Sequence, residues 1–546
     1  MTDEFSALYA DHLDASYDCV DRFVLNAYVP LLNSPGGFRT WWRQFHGGDD
    51  TLDNAHLMRF AGRFSRRLEA YARKNRIPLI RCENGERKHE IAEKYLPSDP
   101  AHVGVFCILV ARAPAPVWNV RRFGLRGLNL EKKTPYVNQY AFHLIDPEWG
   151  HVQIKLCPHP PFTAQIILNG HEYVALQAQK CGIHFVKEGN CFTEVTNAAG
   201  LAGVAETLSA PRSIGRLVQT CERWIYSTCL CFALDRPEQE RTEFRYEYSV
   251  YQAEYSRNFL FKAPAEMEQV FHGVIDRTRA PLQINTVRTI FGYDSRQARR
   301  KTKAPLRQEV VVERPEYDLT IFKIHFKRLT VKIYTKGERV LRIEAIAHNT
   351  EDLRCGKRID RLVEITARLK AMVERFLAVL RCVDASFIDG DTLDAWSQPT
   401  RLRASRVAGI DVNKRRMRAV MEAVLALSTH LSGFSLADLS AKVREILGPG
   451  SESYGVRQAS YDLKKFRAKG LIEKVDGSRA YRPNSNGLRA VCAMIVLREK
   501  VIKPLLSAAS MTSPVPPPAN RSVLEDRYDC IRNEMRQLFK TLGIAS

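Results

Sequence analysis

The sequence predicts a multidomain protein that combines α/β and α+β units, and three observations lead to this prediction. The chain has 546 residues, which is enough for three or four domains that each bury a core of their own. Strand-like and helix-like patterns alternate near the N-terminus, whereas strand patterns dominate the centre. Between residues 434 and 482, two helical patterns are followed by a hairpin pattern.

The first 118 residues have the pattern of an α/β unit. Strand-like runs at 19–29, 77–81 and 103–111 are separated by helical patterns at 52–74 and 87–95. An alternation of strands and helices is typical of parallel pairing with helices covering the sheet. We therefore expect the three strands to form one parallel sheet.

The rest of the chain divides into segments of different pattern. The central segments have short strands, basic helices and a three-stranded antiparallel meander at 317–348. The predicted units are a strand-rich domain at 119–210, an α+β domain at 211–386, a winged-helix domain at 387–509, a Pro-rich linker at 510–522 and a C-terminal helix at 523–546.

Residues 434–482 carry the sequence signature of a winged helix-turn-helix. Ser435 can cap the helix that follows it, and Gly448-Pro449-Gly450 ends that helix. A second helical pattern runs over 456–469, and Asp476-Gly477 then joins two short strand-like runs. Helix, turn, helix and two-stranded wing is the order of a DNA-binding module.

Basic and polar residues of this module predict a nucleic-acid interface. At 100° per residue, one face of the second helix is apolar and the opposite face carries side chains that reach base edges and phosphates. A solvated surface helix or a protein-binding module is the alternative. The predicted contacts are Arg457, Gln458, Tyr461, Lys464 and Lys465 on the helix, Lys474 and Arg479 on the wing, and Arg299, Arg300 and Lys301 in a basic cluster at 277–303.

The overall charge favours the same class of partner. The chain contains 82 Lys and Arg against 61 Asp and Glu, which gives a formal net charge of +21. A field of this sign attracts polyanions and makes their binding sensitive to salt. We expect nucleic acid as partner, DNA before RNA. No apolar run is long enough for a membrane helix, and scattered cysteines without a C-x-x-C pair favour a cytoplasmic location.

Asn169-Gly170-His171-Glu172 is the first candidate for catalysis. Asn-Gly predicts a hairpin turn that exposes His171 and Glu172 at a strand end or a helix start, where they could perform acid–base chemistry. The surrounding region, 143–191, is rich in His and Cys but lacks the paired spacings of structural zinc sites. We therefore predict no metal there, and satisfied histidines of strands and turns are the alternative to a zinc site.

The second candidate lies in the N-terminal unit. The run Ile77-Pro78-Leu79-Ile80, followed by Glu83, Gly85-Glu86 and Ala92, resembles the strand–loop–helix of flap-endonuclease and PIN-like nucleases. This resemblance implies that Asp21, Glu83 and Glu86 hold Mg or Mn for phosphodiester hydrolysis. A plain α/β scaffold with surface carboxylates is the alternative.

Two further resemblances concern the meander and the whole chain. The strand pair at 332–344 is similar to one in replication initiators of small phages and plasmids, although His325 stands between Ile324 and Phe326 without a second histidine. The segments 21–30, 85–96, 167–175 and 460–474 resemble a group of long bacterial proteins with a C-terminal winged helix and no established activity.

The C-terminal segment has a heptad pattern. Its apolar residues recur at spacings of four and three, which predicts an amphipathic helix that docks on another surface or pairs with a second copy. The residues of this seam are Leu524, Tyr528, Ile531, Met535, Leu538 and Leu542.

Three hypotheses about function follow from these patterns. The first is a DNA-binding protein of a mobile element or its replication that uses the winged helix. The second is a metal-dependent nuclease acting on DNA, and the third is a protein that binds structured RNA.

Overall fold

The computed structural model describes most of the chain. The described residues are 4–49, 51–83, 85–123, 127–279, 287–288, 307–312, 320–326, 328–384, 390–402, 404–428, 433–498 and scattered positions between 526 and 541. Arg299, Arg300 and Lys301 and the Pro-rich linker lie outside them. So does the predicted heptad seam except for Ile531, which is helical and 49% exposed.

The secondary structure is mixed. The helices are α1 Glu4–Leu8, α2 Pro35–Phe45, α3 Asn54–Lys74, α4 Lys88–Glu93, α5 Gly170–Lys180, α6 Ala198–Glu206, α7 Arg212–Trp224, α8 Arg236–Arg241, α9 Pro264–Arg279, α10 Leu362–Asp384, α11 Gly390–Ser397, α12 Arg415–Leu427, α13 Leu436–Leu447, α14 Val456–Ala468 and α15 Ser485–Val496. The strands are β1 Leu13–Tyr28, β2 Leu79–Arg81, β3 Gly104–Pro114, β4 Val117–Phe123, β5 Gly127–Lys133, β6 Tyr136–Asp146, β7 Gly150–Leu156, β8 Ala164–Asn169, β9 Phe185–Lys187, β10 Phe192–Val195, β11 Glu247–Phe261, β12 Val287–Arg288, β13 Arg307–Val312, β14 Thr320–Phe326, β15 Leu329–Lys336, β16 Val340–Ala347, β17 Thr400–Leu402, β18 Ser405–Val407, β19 Ile472–Lys474 and β20 Tyr481–Pro483.

One large mixed sheet organises the first two thirds of the chain. Its strand order in the described residues is β12-β13-β14-β15-β16-β11-β1-β8-β7-β6-β3-β2. The pairs at the two edges, β12 with β13 and β2 with β3, are parallel, and the pairs between them are antiparallel. The predicted meander is confirmed as β14, β15 and β16.

The predicted parallel N-terminal sheet is correct only for β2 and β3. β1 pairs antiparallel with β8 on one side and β11 on the other, and four strands separate it from β2. The sheet also crosses the predicted boundaries at 118 and 210, so these segments share one core. Local strand–helix alternation did not reveal these pairings, because the partners of β1 come from distant parts of the chain.

The centre of the sheet contains a strand that was not predicted, β11. It pairs with β1 and β16, so it joins the first 28 residues of the chain to the meander. A register shift in β1 between Val20 and Arg22 leaves Asp21 as the extra residue of a bulge. Bulges re-aim side chains and are common next to functional sites.

The C-terminal third is built from helices and small hairpins. α10 packs on β11 and β16 and also against α15, which connects this part to the sheet. α12, α13 and α14 pack together, and the β19–β20 hairpin follows them. None of the described helices combines the length and apolar character required to cross a membrane.

Candidate functional site

Two of the residues predicted for catalysis meet in a buried group, which we call the Asp21 cluster: Asp21, His171, Ser256, Asn258 and Arg342. Asp21 is the bulge residue of β1, whereas His171 belongs to the first turn of α5. The side chains of Asp21, His171 and Arg342 are at most 1% exposed. The cluster is therefore enclosed between the sheet and α5.

A close approach of backbones brings His171 to the sheet. Gly170 lies so near β1 that a Cβ atom on it would be 1.6 Å from the carbonyl oxygen of Val20. Asn169 caps α5, its side chain accepting a hydrogen bond from the His171 amide at 2.9 Å. The predicted Asn-Gly hairpin is thus a helix start, and the expected exposure of His171 is wrong because the helix begins against β1.

Hydrogen bonds fix the orientation of every group in the cluster. The Ser256 hydroxyl donates to Asp21 Oδ1 at 2.5 Å, and Arg342 Nη1 lies 3.3 Å from Asp21 Oδ2. Arg342 also donates to Asn258 Oδ1 and to the Asn190 carbonyl, each at 2.6 Å. A buried ion is tolerated when its partners satisfy it in this way.

The tautomer of His171 follows from its neighbours. Arg342 Nη2 lies 3.3 Å from His171 Nε2, and a guanidinium can only donate, so Nε2 accepts. The proton then lies on Nδ1, 3.3 Å from Asp21 Oδ1 but outside hydrogen-bond geometry. Burial, followed by the charge of Arg342, holds the pKa of His171 well below its ordinary value, so the ring is neutral.

The cluster includes a set of possible metal ligands. Donor atoms of Cys19, Asp21 and His171 lie within 4.8 Å of one another. Burial raises the pKa of the Cys19 thiol well above its usual value and that of Asp21 to about 6. Because Arg342 already supplies a positive charge to Asp21, the geometry favours an ion-paired structural cluster over a metal centre.

The remaining predicted catalytic residues lie elsewhere. Glu83 and Glu86 lie in the loop after β2, where Glu86 Oε2 accepts a hydrogen bond from the Glu83 amide at 2.7 Å. Five strand spacings of ~4.8 Å separate β1 from β2, roughly 24 Å. The structure therefore does not bring Asp21 together with these carboxylates. Glu172 is half-buried and binds Lys187 Nζ at 2.6 Å.

The same face of the sheet continues into a second charged group on the meander. Lys332 Nζ lies 2.5 Å from Glu344 Oε2, which also accepts a hydrogen bond from the Tyr334 hydroxyl at 3.1 Å. Nearby Glu254 of β11 is half-buried. Burial, followed by the charge of Glu344, raises the pKa of Glu254 to about 7.

The pH dependence of the stability of Glu254→Gln tests the raised pKa of Glu254. A folded-state pKa above the unfolded value of 4.5 means that stability is lost as the pH rises from about 4.5 to 7. We expect the variant to exceed the parent in free energy of unfolding by about 1–3 kcal/mol at pH 8, and to lose this advantage by pH 4. Urea denaturation across pH measures it. The exposed Glu247→Gln on the same strand is the control, and equal pH profiles for both variants would contradict the assignment.

In the histidine-rich region, two histidine rings contact each other directly. His143 Nδ1 lies 3.0 Å from His151 Nε2 on the neighbouring strand β7, and Gln153 binds the other nitrogen of His143. Burial lowers the pKa of His143 to about 3. His143 and His151 therefore have hydrogen-bond partners within the sheet.

The predicted nucleic-acid interface centres on α14. Ala459, Leu463 and Phe466 are buried as expected, whereas Val456 is 50% exposed. Arg457 and Tyr461 are exposed, and Lys464 is half-buried. Asp462 fixes α14 to its surroundings, because its buried carboxylate accepts hydrogen bonds from Arg416 of α12 at 3.1 Å and from Tyr454 at 3.2 Å.

Two predicted contacts on α14 have other roles within the fold. Lys465 is only 8% exposed and lies 3.8 Å from Asp462, so its expected place on the outer face is wrong. The side chain of Gln458 accepts a hydrogen bond from the Gly455 amide at 3.0 Å and donates one to the Ser453 carbonyl at 2.9 Å. Gln458 thus closes the start of the helix, and its contact with a base stays a prediction.

A groove runs along the exposed face of α14. It has a volume of about 610 Å³. Phe434 forms a β-bridge to Tyr481, which ties the segment before α13 to the β19–β20 hairpin. Lys474 and Arg479 of this hairpin are exposed. The residues that line the groove are Leu402, Leu436, Val456, Arg457, Ser460, Tyr461, Leu463, Lys464, Arg467 and Tyr481.

The chain was compared with protein-family models, with curated proteins and with solved structures. None of the three comparisons gives a match.

Proposed function

We propose that the protein binds nucleic acid through a winged helix formed by α12, α13, α14 and the β19–β20 hairpin. The observation that carries this proposal is the exposed basic face of α14, which borders an open groove beside the hairpin. The helix order and the bridge from Phe434 to Tyr481 support the proposal. In a winged helix, a short strand before the second of the three helices, here α13, completes the sheet of the module.

Duplex DNA fits this surface better than duplex RNA. The major groove of B-DNA is about 12 Å wide and admits an α-helix, whereas that of A-form RNA is too deep and narrow for side chains to read. Arg457, Tyr461 and Lys464 would face base edges and phosphates. Lys474 and Arg479 would contact the flanking backbone.

The salt dependence of DNA binding tests the proposal. With the full-length protein, we expect the affinity for duplex DNA to fall steeply between roughly 50 and 200 mM salt. Binding that is absent, or insensitive to salt, with both DNA and RNA would overturn the proposal and favour a protein-binding module.

Lys474→Ala isolates the contribution of the hairpin. Lys474 is exposed on β19, so its loss should weaken all DNA sequences alike and lower the slope of log affinity against log salt by about 0.9. Lys180→Ala, which removes an exposed lysine at the end of α5, is the matched control. A Lys474→Ala protein that keeps the parent's slope would show that this hairpin does not contact the backbone.

A further inference from the structure

The β17–β18 hairpin carries a pair of like charges that the fold itself does not explain. Arg401 and Arg406 are direct cross-strand partners, and both side chains are exposed. Like charges directly opposite each other destabilise a pair of strands. Among the residues that the structure describes, no ion pair to an acidic side chain compensates either guanidinium. The pair therefore has the chemistry of a site for an anion supplied from outside.

The hairpin is fixed beside the candidate interface. Lys469, directly after α14, donates hydrogen bonds from Nζ to the carbonyls of Ala395 and Gln398, each at 2.6 Å, and to the Thr400 hydroxyl. Leu402 at the end of β17 lines the groove of α14. Both strands of the hairpin also contact α14. The hairpin is thus held next to the helix proposed to enter DNA, with Thr400 and Leu402 towards α14 and the two arginines on its opposite, exposed face.

We propose that Arg401 and Arg406 form a second binding site for the sugar–phosphate backbone of the same DNA duplex. This inference rests on the proposed function, and it adds a contact that is not part of the winged helix, since the hairpin precedes α12. Guanidinium groups match phosphate oxygens with two parallel hydrogen bonds. A phosphate between the two side chains also removes their mutual repulsion. Such a contact positions the duplex without reading its sequence.

The double variant Arg401→Ala/Arg406→Ala tests the site in the full-length protein. Loss of two phosphate contacts should lower the slope of log affinity against log salt by about 1.8 and leave the order of preferred sequences unchanged. The control is Arg59→Ala/Arg66→Ala, two exposed arginines of α3 whose removal changes the net charge equally. If both double variants reduce the slope equally, overall charge explains the effect and the site is overturned.

The charge-reversal variant Arg406→Glu distinguishes an effect on DNA binding from an effect on folding. Arg406→Glu places opposite charges across the hairpin, so the unfolding midpoint should stay unchanged or rise while DNA affinity falls below that of Arg406→Ala. A falling midpoint together with lost binding would assign the effect to folding and overturn the site.

DNA-binding measurements distinguish loss of the Arg401/Arg406 site from loss of the winged-helix interface. Salt-sensitive DNA binding that responds to Lys474→Ala but not to the Arg401/Arg406 variants would leave the winged helix in place and remove the second site. Absence of DNA binding by the parent protein would overturn both.

Discussion

Replacement of Arg342 by Met should lower the free energy of unfolding by about 3–5 kcal/mol, the usual cost of removing one partner of a buried ion pair. Arg342 and Asp21 are at most 1% exposed, and the methionine keeps most of the side-chain volume. The cost arises because Asp21 loses its cationic partner in a place that water does not reach, so it must either stay charged without a partner or take up a proton there. Urea denaturation of the two proteins at neutral pH measures the difference.

A surface ion pair between nearby segments provides the matched control. Arg339, just before β16, binds Asp14 of β1, and these side chains are 27% and 46% exposed. Asp14→Asn should therefore cost at most about 1 kcal/mol. Asp21→Asn combined with Arg342→Met should be less harmful than Arg342→Met alone, because no ionisable carboxyl group is left buried without its cation. Equal costs for Arg342→Met and Asp14→Asn would contradict the buried pair.

Local patterns were enough to predict part of the C-terminal third, whereas α11, β17, β18 and α12 were not predicted. α13, α14 and the β19–β20 hairpin follow from periodicity, a capping serine, glycines and an Asp-Gly turn, all of which act within a few residues. The meander was predicted for the same reason, since its strands are consecutive in sequence. Short-range signals define such elements without knowledge of the rest of the chain.

The buried cluster could not be assembled from the sequence. Asp21 and His171 were both singled out, but for different chemistries, and Arg342 belongs to the strand pair that resembles one in replication initiators. Asp21 and Arg342 come together because β11 pairs with both β1 and β16, which are distant in sequence. One signal was present in β11: the polar residues Glu254, Ser256 and Asn258 recur with the period of a strand, and all their neighbours except Arg257 are aromatic or apolar.

Helical periodicity also could not identify which basic residues of α14 are exposed. Lys464 and Lys465 are adjacent and alike in sequence, yet Lys465 turns towards the buried Asp462. The acid is itself held by Arg416 of α12, a contact between distant segments. The direction of a long basic side chain therefore depends on tertiary partners as well as on its angle around the helix.

Arg457→Ala should have the largest effect on sequence preference among the α14 variants. Arg457 is exposed in the first turn of the helix, the part that contacts base edges when a recognition helix lies in the major groove. Loss of a contact to guanine costs about 1–3 kcal/mol on the preferred site and much less on other sequences. Selection of a preferred duplex by the parent protein, followed by binding titrations with both proteins, measures this difference.

Arg457→Lys distinguishes base recognition from simple attraction to phosphate. Lysine keeps the positive charge but cannot form the two parallel hydrogen bonds of a guanidinium. If Arg457 contacts a base, the lysine variant should keep the salt slope of the parent and still lose part of its discrimination between preferred and random DNA. Full recovery of both properties by lysine would place Arg457 on the backbone instead. In that case, sequence preference would have to come from another exposed side chain of α14 that lines the same groove, such as Tyr461.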